Sequence, residues 1–172
     1  MIEIRPATID DADAVSGMAR ALSLSDGGRP SALTAEKYRI DGFGENPAFS
    51  ALIAECDDGI AGYAVFYCGY DSDSATRGVY LADLYVREDF RRRGVGRALI
   101  SGVAARCRED GARWMFWSVL KRNRPARKFY RRLSSELKDV VICAAFGKSF
   151  DRLSDINSEP LNPRLRNRGL RF

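Results

Sequence analysis

Arg91-Arg92-Arg93-Gly94-Val95-Gly96-Arg97 joins an apolar, strand-like segment, Val79 to Val86, to a helix-like one, Val95 to Cys107. A glycine-bearing turn between strand and helix exposes several main-chain N–H groups where the helix dipole is positive, so it suits an anion, most often a phosphate. Gly94 and Gly96 let a bulky phosphate approach the chain with no Cβ in the way. The arginines add fixed positive charge and forked donors. The spacing excludes the commoner phosphate loops. No G-x-x-x-x-G-K-[ST] run occurs, and Leu99 stands where a dinucleotide fingerprint would place its third glycine.

Outward from this turn, composition sets the frame. The 172 residues are enough for one domain with a real core, expected over residues 1–154. The longest apolar run, Val140 to Phe146, is too short to cross a bilayer, so no membrane association is expected. The N-terminus, Met1-Ile2-Glu3-Ile4-Arg5, reads as a strand rather than a signal peptide. Four separated cysteines and no histidine argue against a metal site and for reduced thiols in the cytoplasm. The missing histidine also removes every His-dependent triad. Net charge is +5 but unevenly spread. Residues 1–86 hold 6 Lys+Arg against 14 Asp+Glu, and residues 87–172 hold 22 against 9. The basic residues begin at the phosphate turn, and no nucleic-acid signature accompanies them, so no nucleic-acid partner is expected.

The element order reads as follows. Ile2 to Arg5 is a strand. Thr8 N-caps a helix, with Asp11 at N3 in an acidic relative of the capping box. Thr34 starts a second helix that Gly42 and Gly44 end. Phe49 to Glu55 and Ile60 to Tyr67 are strands joined by an Asp57-Asp58-Gly59 hairpin. Asp71 to Gly78 is a polar loop, Val79 to Val86 a strand, and the helix after the glycines ends at Gly111. Arg113 to Val119 is a strand. Asn123 N-caps a helix with Pro125 in its first turn and Ala126, Phe129, Tyr130 and Leu133 as its inward stripe. Lys138 to Phe146 is the last strand. This order gives an α/β fold with a mixed, twisted, mostly antiparallel sheet flanked by helices. Residues 155–172, rich in Asn, Pro and Arg, read as an extended or disordered basic tail, with a docked arm as the alternative.

The R-x-x-G-x-G run from Arg91 resembles the pyrophosphate-binding motif of the GCN5-related N-acetyltransferases (GNAT). A second stretch, Asn123-Arg124-Pro125-Ala126-Arg127-Lys128-Phe129-Tyr130, is similar to that family's N-x-x-A-x-x-F-Y helix. Further stretches look like its spermidine/spermine (diamine) branch: Ile4 to Thr8, Asp41-Gly42-Phe43-Gly44-Glu45-Asn46-Pro47, Tyr80-Leu81 and Asp83-Leu84-Tyr85-Val86. The resemblance covers roughly residues 2–133.

It implies the GNAT fold, in which the strand before the turn splays from the next one. It implies acetyl-CoA as cofactor, direct acetyl transfer in a ternary complex, and a small-molecule primary amine as acceptor. The pyrophosphate falls to Arg91, Arg92, Arg93, Gly94, Val95, Gly96 and Arg97, and the pantetheine arm to Leu84, Tyr85 and Val86, with Asn123 and Ala126 on its far side. Tyr130 is the candidate general acid, since a phenol with a pKa near ~10 is well matched to a leaving thiolate. Edge strands in such sheets often pair, which allows a homodimer. The chain also departs from that branch. Ala82 stands where a glutamate usually accepts the amine's proton through water, and Phe116, Lys121 and Arg122 replace acidic residues, so a polycationic acceptor loses attraction there. The base stays open among Asp83, loop carboxylates (Glu45, Asp71, Asp73) and a polarised water. Two other readings stay open as well: a CoA-binding regulatory protein with little catalysis, and an acetyltransferase of protein amino groups.

Overall fold

A computed structural model describes residues 1–57 and 59–155 of the chain. They form two compact units that divide after Leu120, each described by itself. The proposed tail falls outside the described residues except for Asp155, as does Asp58 of the hairpin.

The first unit holds a five-stranded sheet in the order β1-β2-β3-β4-β5. Its strands are β1 (Ile2–Pro6), β2 (Ser50–Cys56), β3 (Gly59–Asp71), β4 (Thr76–Val86) and β5 (Ala112–Phe116). Neighbours pair antiparallel except β4 and β5, which run parallel. That parallel pair needs a crossover, and α3 (Val95–Glu109) supplies it. Helices α1 (Ala12–Ser25) and α2 (Ala35–Phe43) precede β2. The mixed sheet expected from the sequence is the one observed.

The core has two faces. Val15, Met18 and Ala19 of α1 and Tyr38 of α2 pack on Ile53, Tyr63 and Val65. On the opposite face α3 lays Val95, Leu99 and Val103, each at most 1% exposed, on the sheet. The period-3.6 stripe of α3 meets the period-2 face of β2 and β3 at Gly62 and Gly102. A Cβ on Gly102 would lie 2.7 Å from Ile4 Cγ2, so the absent side chain sets how closely helix and sheet approach.

The turn into α1 is tied as its sequence predicts. Asp11 Oδ2 accepts from the Thr8 N–H at 2.7 Å and the Thr8 hydroxyl at 3.1 Å. Arg5 on β1 donates to both Asp11 oxygens at 2.8 Å and to Glu55 on β2 at 2.7 Å. One guanidinium fork thus joins two strands to the helix start. A 3-10 turn, Ile9–Asp11, comes before the α-helix proper. Thr34 caps α2 through its side chain, which accepts from the Lys37 N–H at 3.1 Å.

Three boundaries differ from the sequence reading. The loop expected at Asp71 to Gly78 shrinks to four residues, because Asp71 pairs with Thr76 and Gly69 with Gly78, extending the hairpin. The strand expected to reach Val119 stops at Phe116. Most clearly, Lys138 to Phe146 is not a strand. The run has no regular structure, and Val140, Val141 and Ile142 are 62%, 83% and 72% exposed. β-Branched residues favour a pleated, half-buried surface; with no ladder partner and no covered face, their propensity alone makes no strand. The second unit instead contains two seven-residue helices, α4 (Arg124–Tyr130) and α5 (Lys148–Ser154).

Candidate active site

Two features of β4 make the site. The first is its free edge. β5 pairs with β4 only from Arg77/Ala112 to Tyr80/Phe116, so Leu81–Val86 continues without a β5 partner and its main chain faces outward. An extended, amide-bearing ligand can add there as a strand would. Leu84, Tyr85 and Val86 lie on this edge.

The second is a β-bulge. Val65 pairs with Asp83, but Phe66 pairs with Leu81, which leaves Ala82 as the extra residue. The bulge breaks the alternation of the strand. Asp83 and Tyr85 keep the face covered by α1, while Leu81 turns to the α3 face beside Phe66. Asp83 Oδ2 accepts from the Tyr63 hydroxyl at 2.8 Å. Burial pushes the Asp83 carboxyl above the usual carboxylate range, against the lowering effect of the Tyr63 bond and with a small contribution from Asp26 at the end of α1. The same desolvation and the neighbouring carboxylate push the Tyr63 phenol strongly up, so it stays the donor.

Past β4 the chain reaches Arg91–Arg97. Gly94 is the N-cap of α3 with φ +91°, a left-handed conformation that favours glycine, and Arg92 has φ +64°. The first bond of the helical ladder runs from the Ala98 N–H to the Gly94 carbonyl at 3.0 Å. The N–H groups of Val95, Gly96 and Arg97 therefore precede the ladder, at the positive end of a 15-residue helix. Arg91 does not reach outward. Its Nε donates to the Val86 carbonyl at 3.0 Å, and its guanidinium pairs with Glu88 and lies 5.7 Å from the centre of the Tyr85 ring. Arg93 lies 5.1 Å from the Phe90 ring. These contacts splint the turn, and the N–H groups of Val95, Gly96 and Arg97 are its main-chain donors toward an anion.

The fold thus gathers Leu84, Tyr85, Val86 and Arg91–Arg97 on one strand edge and one helix start. Asn123, Ala126 and Tyr130 belong to the second unit. There the Asn123 side chain caps α4, accepting from the Ala126 N–H at 3.1 Å. Tyr130, half-buried, ends that helix with its ring 5.2 Å from Phe129. Arg127 and Arg131 both donate to Glu136, which holds that carboxyl down at about 2. The Tyr63–Asp83 pair was not legible as a pair: the two residues are 20 apart, and only the register across the bulge brings them together. Among the described residues, no helix is long and apolar enough to cross a membrane, and no group of three His, Cys, Asp or Glu side chains is placed to hold a metal.

Comparison with known proteins bears on the fold and the family. Residues 18–134 match the Acetyltransferase (GNAT) family. The chain is 30% identical to the thialysine N-epsilon-acetyltransferase of Bos taurus over 112 residues, 60% of this chain and 65% of that enzyme. It is 34% identical to the Caenorhabditis elegans thialysine N-epsilon-acetyltransferase over 129 residues, 74% and 79% of the two chains. An L-ornithine N5-acetyltransferase of Arabidopsis thaliana is 29% identical over 57% of this chain and 43% of its own length. Among solved structures, an integron cassette protein from the mobile metagenome of V. cholerae superposes with TM-score 0.75 at 18% identity, covering 89% of this chain and 97% of that one. The family match spans more than half of the sequence, through β3, the bulged β4, the Gly94 turn and α3: the chain belongs to the GNAT acetyltransferase family.

Proposed function

We propose that the chain is an acetyl-CoA-dependent N-acetyltransferase that acts on the primary amine of a small molecule by direct transfer in a ternary complex. The observation that carries this is the left-handed Gly94 turn, which opens α3 directly beyond the unpaired edge of β4. A diphosphate fits the N–H groups from Arg92 to Arg97, and an arm bearing amides fits the Leu84–Val86 edge. The thialysine and ornithine acetyltransferases among its relatives support an amino-acid-like or diamine-like acceptor.

Bound acetyl-CoA supplies an activated thioester. The residues do the rest. N–H groups along Leu84 and Tyr85 donate to the carbonyl oxygen on which charge develops. Asp83 takes a proton from the acceptor's ammonium, and the freed nitrogen lone pair forms the new C–N bond. As the C–S bond breaks, its electron pair passes to sulfur. Tyr130 gives its proton to the leaving thiolate, and the second proton of the acylated nitrogen returns to the phenolate, so that Tyr130 is restored and Asp83 releases the first proton to solvent. A carboxylate whose affinity for protons is raised by burial is a better base than an exposed one. The resemblance to the family's N-x-x-A-x-x-F-Y helix assigns Asn123 and Ala126 to the arm as well. We extend the reading to a cytoplasmic homodimer formed through a sheet edge, which light scattering on the purified protein checks.

The test is thiol release from acetyl-CoA with a panel of small amines, alongside calorimetry with acetyl-CoA. Binding without turnover of any amine would favour a regulatory CoA-binding protein, the reading Ala82 leaves open. Absence of binding would end both.

A further inference from the structure

Among the described residues, α1 does not cover its face of the sheet along the whole length. α1 runs against β4: its first half borders a pocket of about 310 Å³ beside Tyr85 and Arg87, and its C-terminal Asp26 bears electrostatically on Asp83. Beyond that end the same face continues as a row of rings. Tyr67 and Tyr80 are cross-strand partners and stack at 5.2 Å. Next along the strands Gly69 pairs with Gly78. These two glycines leave a notch, and the Trp114 indole fills it so closely that a Cβ on Gly78 would lie 1.9 Å from Trp114 Cδ2. Phe116 packs at 5.1 Å against Trp114. Tyr67 and Phe116 remain 44% and 50% exposed. The Tyr80 hydroxyl is bonded to Ser118 at 3.1 Å, so the row presents ring faces more than free hydroxyls.

We propose that this strip is the acceptor subsite and that it selects an arylalkyl monoamine, with the ammonium at Asp83 and the ring against Tyr67, Tyr80 and Phe116. The proposal rests on the N-acetyltransferase reading and departs from it in the acceptor, an arylalkyl monoamine in place of the amino-acid-like or diamine-like amine that the relatives support. Its physical basis is charge at one end and apolar area along the rest. Asp83 is the carboxylate of the strip, and it lies beside the free β4 edge where transfer is placed. Tyr80 follows about 7–10 Å along the strand, a span that a ring a few bonds from the nitrogen can bridge. Ring-on-ring contact in offset or tilted geometry favours an aromatic body. A diamine laid along these rings would bring its second ammonium over Tyr67, Tyr80 and Phe116, none of which carries a negative charge. Its attraction to ring faces is weaker than a paired charge and is offset by lost hydration.

The experiment measures kcat/KM with acetyl-CoA for 2-phenylethylamine, n-butylamine and 1,4-diaminobutane, for the wild type and for Phe116→Ala. Phe116→Leu is measured as well, since it keeps apolar volume and loses the ring; thermal melts check that each variant folds. The expected result is a wild-type preference for the aromatic amine of at least about tenfold over both others. That ratio should collapse in both variants through KM rather than kcat. If the diamine or butylamine serves as well as the aromatic amine, this subsite assignment falls while the N-acetyltransferase reading stands. A preference that survives both substitutions also removes the strip from acceptor binding. Turnover with no amine at all overturns the enzyme reading and this inference together.

Discussion

At the scale of single residues, the decisive position is Gly94 rather than any arginine. Its φ of +91° lies where an L side chain is strained, although the space around it is open, with Ile2 Cδ1 3.8 Å from a built Cβ. Valine there must either strain the turn or rotate the N–H groups of Val95 to Arg97 off their common target. We expect Gly94→Val to weaken acetyl-CoA binding by at least about tenfold. Arg93→Ala, which removes a guanidinium stacked on Phe90, should weaken it by less than about threefold. Calorimetry decides, and equal losses would mean that side-chain charge, not the main chain, holds the diphosphate. Tyr130→Phe tests the proton donor: kcat should fall about 10- to 1000-fold with cofactor affinity nearly kept, as expected when one general acid is lost. Unchanged turnover assigns the proton elsewhere. The turn residues were legible in the sequence because strand, glycines and helix are contiguous. Asp83 was not assignable, because its face depends on the bulge at Ala82, and a one-residue register shift leaves no mark in a single strand's composition.

Elements show the same divide between local and non-local information. Thr8, Thr34 and Asn123 each begin the turn or helix expected of them, since a cap needs only its own next three residues. The strand expected at Lys138 to Phe146 failed because a strand needs a partner, which its own residues do not specify. The β3–β4–β5 surface was hidden for a related reason: Gly69, Gly78 and Trp114 acquire meaning only when stacked. Trp114 is held there by packing, and its indole N–H is buried with no partner among the described residues. Adding a methyl group in the notch should therefore expel the ring with little to oppose it. Gly78→Ala is expected to destabilise the first unit by about 1–3 kcal/mol, the usual cost of overpacking. Urea unfolding followed by tryptophan fluorescence reads both the midpoint and the changed environment of the ring. A wild-type midpoint would show that the notch is not tight in solution.

Across the whole molecule, charge is segregated in sequence, with net −8 in residues 1–86 and net +13 in residues 87–172, and the acidic half carries carboxylates of opposite titration behaviour. Asp11, 6% exposed, is held below the usual carboxylate range by the Arg5 fork, against the raising effect of burial. Its folded pKa lies below its unfolded one. Its stabilisation is complete above the unfolded value of about 4 and is lost as pH falls toward the folded value. Asp83 has the opposite sign. Its folded pKa is raised, mainly by burial, so it penalises the folded state at neutral pH and the penalty fades as pH drops through that value. The two carboxylates therefore oppose each other in acid, and substitution separates them. Asp11→Ala leaves Arg5 facing Glu55 alone and should cost about 2–4 kcal/mol at pH 7, the scale for breaking a partly buried charge pair. The cost should shrink steadily from pH 5 to pH 3, where the wild type also loses the pair. Asp83→Asn should instead gain stability at pH 7 relative to wild type and lose that advantage in acid, since the amide never carries the desolvated charge. Urea titrations at four pH values measure both slopes. A pH-independent Asp11→Ala cost would mean that the Arg5 fork is structural packing without ionic character. A destabilised Asp83→Asn at neutral pH would mean that the Tyr63 bond outweighs desolvation, making Asp83 a weaker base than the acetyl-transfer chemistry proposed for it requires.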